Sequence, residues 1–247
     1  MELLKFSPAN SKTRKLAPVM GVKPSEIVGF SLPAGHTCPA ADRCLSRADR
    51  DTGKLTDGDS CEFRCFAASL ECQYPGTRAM VWHNLDMLKS AGVDDAHAMA
   101  DLILRSLPAK AKIVRLHVAG DFFNPNYVKA WVIVARSRPQ VLFYGYTKSI
   151  HFVLPFEKEL PPNVRLSYSD GGKYDDLAQA AGWPTAYVVM SPDDAAARGL
   201  PIDHKDSMAV VSAHDFALLI HGTQPAGTLA AKASNANKRR NRQEKNA

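Results

Sequence analysis

From residue 112 onward the chain alternates β-branched runs with helical ones, and few folds accept that rhythm. KIVRLHV (112–118), VLFYGYT (141–147), VRLSYS (164–169) and TAYVVMS (185–191) read as strands. PNYVKAWVIVARSR, YDDLAQAAG and PDDAAARG between and after them read as helices, with Pro125 in a first turn and Gly182 and Gly199 as stops. SIHFVLPFEKEL is a short helix broken at Pro155, while DSMAVVSA and FALLIHG carry weaker patterns. One earlier strand, IVGFSLP (27–33), stands ahead of this series. Strands that alternate with helices pair in parallel, because each return to the same end of a sheet needs a long crossover. The pattern predicts an α/β fold: a partial (β/α) barrel or an open, mostly parallel sheet, with a cysteine-rich loop and helix insertion near the N-terminus. A chain of 247 residues can bury a core of that size.

The insertion holds all five cysteines: Cys38, Cys44, Cys61, Cys65 and Cys72. Pro33, Gly35, Pro39, Gly53 and Gly58 put the first of them on loops. EFRCFAASLECQ (62–73) reads as a helix with Phe63, Phe66, Ala67 and Leu70 at i, i+3, i+4 and i+7, which would set Cys61 and Cys65 on one face. Two more helices follow, RAMVWHNLDMLKSAG between Thr77 and Gly92, and AHAMADLILRSL from Asp94-Asp95 to Pro108. Clustered thiolates are soft ligands suited to zinc, copper(I) or iron–sulfur clusters. The blander reading is a set of buried thiols. His36, between Gly35 and Cys38, is a further candidate ligand. The odd cysteine count argues against a disulfide framework. MELLKFSPANSKTRK lacks the apolar core of a signal peptide, and no run is apolar over a membrane-spanning length. The expected setting is therefore a reducing cytoplasm, with no membrane partner.

In parallel sheets and barrels chemistry gathers at the carboxyl ends of the strands. His117, Gly120 and Asp121 follow one strand here. Tyr146, Thr147 and Lys148 end the next, Ser167, Tyr168, Ser169 and Asp170 the third, and Ser191 the fourth. The cysteine loops follow the first strand and so face the same rim. Taken singly, Asp121 reads as a turn cap, Lys148 as a solvated helix start and His117 as a core histidine. It is their shared position that marks a candidate site. No P-loop, dinucleotide fingerprint or G-x-S-x-G elbow is present.

Charge is unevenly distributed. Lys232, Lys238, Arg239, Arg240, Arg242 and Lys245 oppose only Glu244 in KASNANKRRNRQEKNA, a net of +5 out of the chain's formal +6. Residues 1–231 are accordingly one nearly neutral α/β domain, with its metal-binding cysteine region at 36–72, and residues 232–247 a basic tail expected to be disordered or loosely helical. Such a tail can hold the phosphates of DNA or RNA non-specifically, or simply be a solvated terminus.

FSLPAGHTCPAADRCLSRADR, FRCFAASLE and RLHVAGDFFNPNYVKAWVIVARSRPQVLFYGYTKS, three blocks in order over roughly 29–149, resemble the phage and plasmid "gene product 88" domain family. The resemblance maps that family's cysteines onto Cys38, Cys44 and Cys65 and leaves Cys61 and Cys72 as extras. Many of its members carry a second cysteine-rich block near the carboxyl terminus, where this chain has no cysteine. A phage-encoded chain would work in the host cytoplasm. More distantly the arrangement is similar to radical S-adenosylmethionine enzymes. In those, three cysteines after the first strand of a partial barrel hold a [4Fe–4S] cluster, and the open iron chelates the methionyl amine and carboxylate. A Gly-Gly-Glu-like stretch after the second strand binds that amine, and Ala119-Gly120-Asp121 stands in a comparable place. The spacing departs from the usual CxxxCxxC, since the candidates read C-x5-C-x20-C.

Two functions follow. The first is an iron–sulfur protein of the radical S-adenosylmethionine kind, acting on a nucleic acid or nucleotide. Cys38, Cys44 and Cys65 would hold its cluster, with Cys61 a candidate fourth ligand. His117, Gly120 and Asp121 would meet the cofactor, and Tyr146, Lys148 and Ser169 the substrate. The second is a non-catalytic zinc protein that closes a tetrahedral site with four of the five cysteines and binds nucleic acid through its basic tail.

Overall fold

The structure, a computed structural model, describes residues 2–246, with the side chains of Asn241 and residues 244–246 outside the description. The chain opens with a two-residue strand β1 (Ser7–Pro8), helix α1 (Ser11–Val19) and strand β2 (Ile27–Ser31). The insertion follows: a small hairpin of β3 (Ser46–Ala48) and β4 (Leu55–Asp57), then helices α2 (Phe66–Gln73), α3 (Pro75–Ala91) and α4 (Ala96–Ser106). Strand and helix then alternate through β5 (Ile113–Ala119), α5 (Pro125–Ser137), β6 (Leu142–Thr147), α6 (Ile150–Val153), β7 (Val164–Ser169), α7 (Asp175–Ala180), β8 (Thr185–Val189) and α8 (Pro192–Ala197). Helix α9 (Ser207–Val211), strand β9 (Phe216–Leu219) and helix α10 (Leu229–Asn246) complete the described chain.

Seven strands form one sheet in the order β1-β2-β5-β6-β7-β8-β9, parallel throughout except for the β1–β2 edge pair. The expected mixed α/β architecture is thus present, as an open sheet. The order never reverses, as in a (β/α) barrel that has not closed. Alternation along the strands gives two faces. Val28, Val114, Leu116 and Phe143 pack with Leu88, Ile103, Trp131 and Val134 of α3, α4 and α5. Ile27, Ile113, Tyr144 and Phe216 turn the other way, onto Leu16 and Ala17 of α1 and Ala209 and Val210 of α9. Strand β2 is buried along its whole length, as a strand covered on both faces must be.

Several boundaries were set by caps that the sequence displays. Asp95 accepts from the amides of His97 and Ala98 at the start of α4, and Asn124 from Tyr127 at the start of α5. Pro75 opens α3 at its first position, directly after α2 ends at Gln73 with Tyr74 as its C-cap. The predicted 62–73 helix starts late, at Phe66, so Cys61 lies outside it and does not share a helix face with Cys65. The cause is competition for the backbone. Arg64 N–H donates to Gln224 Oε1 at 2.7 Å, Gln224 Nε2 donates back to Arg64 O at 3.0 Å, and the Glu62 amide donates to Arg43 O. Of these groups only the Arg64 carbonyl would find a partner inside a helix begun at Glu62, since first-turn amides have none, and Gln224 takes it instead.

Of the two expectations for the basic tail, disordered or loosely helical, its described residues take the helical one, as the continuation of α10 across the 231/232 boundary. Asn237 donates to Met190 O and Ile220 O, and Ser234 to Gly222 O, fixing the helix to the end of the sheet. No helix among the described residues is long and apolar enough to cross a membrane.

Candidate metal centre

The site begins with a defect in β5. Gly29 pairs with Arg115 but Ser31 pairs with Ala119, so the partner strand carries extra residues around His117, whose φ is +54°. A bulge of this kind bends the strand that carries it. Pairing of β5 with β6 is recorded from Ile113 to Leu116, while β6 stays paired with β7 out to Thr147. The ends of β5 and β6 therefore part at the carboxyl rim. Gly120 follows at φ +80°, where a Cβ would stand 2.5 Å from Thr37 Oγ1 and 2.7 Å from Leu32 Cβ. Glycine is needed here so that the chain can pass beneath the loop that carries Cys38.

Asp121 spans the gap. Its Oδ1 accepts from Thr147 Oγ1 at 2.6 Å and its own neighbour's amide, Phe122, at 2.7 Å. Its Oδ2 accepts from the amides of Lys148 at 2.8 Å and Ser149 at 3.2 Å. Four donors from the protein engage this buried carboxylate, so it serves as a clamp between strand ends and has little capacity left for an external amine. Burial pushes its pKa up, against the lowering effect of those hydrogen bonds.

Lys148 is buried at 7% exposure, and its ammonium donates to the Ser169 carbonyl and hydroxyl at 2.8 and 3.2 Å and to the Asp170 carbonyl. Among the described residues no carboxylate lies within ion-pair distance of it. Its charge nonetheless favours the Cys44 thiolate.

The thiols of Cys38, Cys44 and Cys65 lie in one electrostatic neighbourhood. Burial raises the Cys38 pKa well above the ordinary thiol value, and Asp121, Cys65 and Cys44 each raise it further. Burial likewise raises Cys44, opposed by Lys148. Cys65 is pushed up to about 12 by burial and then by Cys44, against the amides of Ala68 and Ala67 in the first turn of α2. Cys61 also interacts with Cys44, but its thiol donates to Phe63 O at 3.2 Å and lies 3.7 Å from Ser46 Oγ. All five cysteines are free, and Cys72 is exposed. Among the described residues no group of three or more His, Cys, Asp or Glu side chains is arranged to hold a metal ion. A single zinc ion requires donors about 2.0–2.3 Å from one point, a convergence the thiols do not make.

The cysteine loop is tied to the rim. Ala41 bridges Gly172, the Arg43 amide donates to Gly171 O, and the Arg43 guanidinium pairs with Asp170 at 3.0 Å and Asp175 at 3.1 Å. On the other side Glu71 of α2 accepts the Ala34 amide at 2.9 Å. Its second oxygen is buried without a partner, and burial raises its pKa to about 7.

The rim thus gathers Cys38, Cys44, Cys65, Gly120, Asp121, Lys148 and Ser169, and leaves three expected residues elsewhere. Tyr146 donates to Asp206 at 3.1 Å on the sheet face covered by α1 and α9. Asp206, at φ +59°, also meets Lys12 at 2.6 Å, Arg115 at 3.0 Å and Tyr144 at 3.0 Å, so Tyr146 belongs to a buried ion network. His117 packs on Phe122 and Tyr127, with Nε2 3.3 Å from Tyr127 Oη and Nδ1 unpartnered. Burial drives its pKa down to about 3, which keeps the ring neutral. His36 points to Ala48 O at 3.0 Å and packs on Trp82. Sequence reasoning missed Glu71, although a glutamate inside the apolar run FAASLECQ is a visible signal. It also missed Gln224 and Asp206, which nothing local distinguishes.

A family model described as "Gene product 88" matches residues 2–243. The chain is 31% identical over 137 residues to the "Gene 88 protein" of Mycobacterium phage D29, a match covering 52% of this chain and 57% of that protein. It is 30% identical over 128 residues to the "Gene 88 protein" of Mycobacterium phage L5, covering 48% and 52%. The chain therefore spans little more than half the length of these curated relatives. No solved structure matches.

Proposed function

The chain belongs to the gene product 88 family, and on that premise we propose that it is an iron–sulfur-cluster protein whose cluster is held by Cys38, Cys44 and Cys65. The observation that carries this reading is the mutual electrostatic influence of three half-buried thiols near the buried ammonium of Lys148, which has no described carboxylate within ion-pair distance. A cluster spreads its cysteine sulfurs around a cage of iron and sulfide, which suits thiols that are neighbours without converging on a point. Lys148 would offset part of the negative charge that the thiolates bring to the rim. The protons held on the thiols leave as metal binds.

Three protein sulfurs would leave one iron of a [4Fe–4S] cluster open, a position that the amine and carboxylate of S-adenosylmethionine could fill. Asp121 would act by holding the Lys148 backbone in place, and Lys148 and Ser169 would supply polar groups at the same rim. Cys61, occupied by Phe63 O, stands outside the ligand set.

Anaerobic reconstitution of single variants tests the ligand set. Cys38→Ala, Cys44→Ala and Cys65→Ala each lose stoichiometric iron, whereas Cys72→Ala keeps it. Wild-type iron content in Cys65→Ala would remove the assignment.

A further inference from the structure

Helix α10 does more than end the fold. Between it and the loop Gly222–Gly227 lies a groove of about 510 Å³. Lys232, Asn235, Lys238 and Arg239 form one wall, and the loop, with Thr223 and Gln224, forms the other. Among the described residues no carboxylate lines the groove. None of its three cations lies within ion-pair distance of a described carboxylate, and each is exposed. Lys232, Arg239 and Arg242 recur at helical spacing on one side of α10, giving a positive stripe about 15 Å long at 1.5 Å per residue.

A solvated basic helix explains charge, but not its gathering on the wall of a concave site. The rest of the chain is nearly neutral, so this groove concentrates the molecule's net charge. A stripe of that length exceeds one phosphate and matches several in succession, which points to a polymer and not to a free nucleotide. The groove has no aromatic side chain on which a base can stack, so contacts fall on the backbone and carry little sequence preference.

We propose that the groove between Gly222–Gly227 and α10 binds the phosphodiester backbone of a single nucleic-acid strand. Its floor is joined to the cysteine region. Gln224 holds both backbone groups of Arg64, Ser69 Oγ donates to Thr223 O at 3.1 Å, and Phe66 packs on His221. A bound strand would therefore lie near α2, whose N-cap is Cys65. The inference stands on charge and shape alone and does not require a cluster.

The test uses the full-length protein, with metal content measured separately, and a short fluorescent oligonucleotide of mixed sequence followed by anisotropy across a salt series. The comparison is wild type, the double variant Lys238→Glu/Arg239→Glu, and Arg240→Glu, an exposed residue outside the groove. Circular dichroism establishes that each is folded. The double variant should lose about tenfold or more in affinity, and its plot of log affinity against log salt should flatten by roughly 0.7 for each cation removed. Arg240→Glu should keep most of the affinity. Equal loss in Arg240→Glu, an unchanged salt slope in the folded double variant, or wild-type binding of polyglutamate without binding of the oligonucleotide would each overturn the proposal.

Discussion

Asp121 accepts the backbone N–H of Lys148 at 2.8 Å, across the gap that the His117 bulge opens between β5 and β6. One carboxylate thereby fixes the start of the segment whose ammonium is held by Ser169 and favours the Cys44 thiolate. In Asp121→Asn an amide nitrogen must confront the amides of Lys148 and Ser149 or, flipped, that of Phe122. With the site buried, the loss should be about 1–3 kcal/mol of stability, read from urea unfolding. An unchanged midpoint would mean that the gap is held by other contacts.

Glu71 makes the stability of the cysteine region depend on pH. Burial raises its pKa from the ordinary value of 4.5 to about 7. Below 4.5 the carboxyl is protonated in the folded and the unfolded chain alike. Between 4.5 and 7 the unfolded chain ionises first, so stability falls as pH rises, by roughly 3 kcal/mol over the whole interval. Glu71→Gln keeps an acceptor for the Ala34 amide and removes the titration. Urea unfolding of the metal-free protein at pH 5 and pH 8 should show a smaller difference in the variant than in wild type. Equal differences would place the ionised carboxylate in a solvated setting.

Asp206 is the hub of the opposite face. Burial alone would raise its pKa, yet Arg115 and Lys12, with Tyr144 donating, hold it below the ordinary carboxylate value. Asn tolerates the left-handed backbone at this position, so Asp206→Asn isolates the charge. Arg115 would remain buried without its counter-charge, a change that costs about 3–5 kcal/mol. A loss below about 1 kcal/mol in thermal or urea unfolding would show that water reaches Arg115 in the variant.

The strands and their parallel order were legible because Val and Ile runs alternate with capped helices from residue 112 on. The rim followed from them: residues at the carboxyl ends of parallel strands must share one edge, and Asp121, Lys148 and Ser169 do. Cys38, Cys44 and Cys65 could be placed beside them because their loop leaves β2 at that same edge. What escaped the sequence depends on partners far along the chain. Arg64 is kept out of α2 by Gln224, 160 residues away, and Tyr144 meets Asp206 across 62. Tyr146 sits at a strand end yet faces the other side of the sheet, since alternate residues of a strand point oppositely. The bulge at His117 has no signature in residue type, and β5 and β6 stop pairing just before it, at Leu116.

Anaerobic reconstitution of the wild-type chain with iron and sulfide, followed by metal and acid-labile sulfide analysis, tests the central claim most directly. The account predicts a brown protein with about four irons and four sulfides per chain, as a [4Fe–4S] cluster requires. A colourless chain that takes up zinc and no iron, or one that binds no metal while remaining folded, would contradict it.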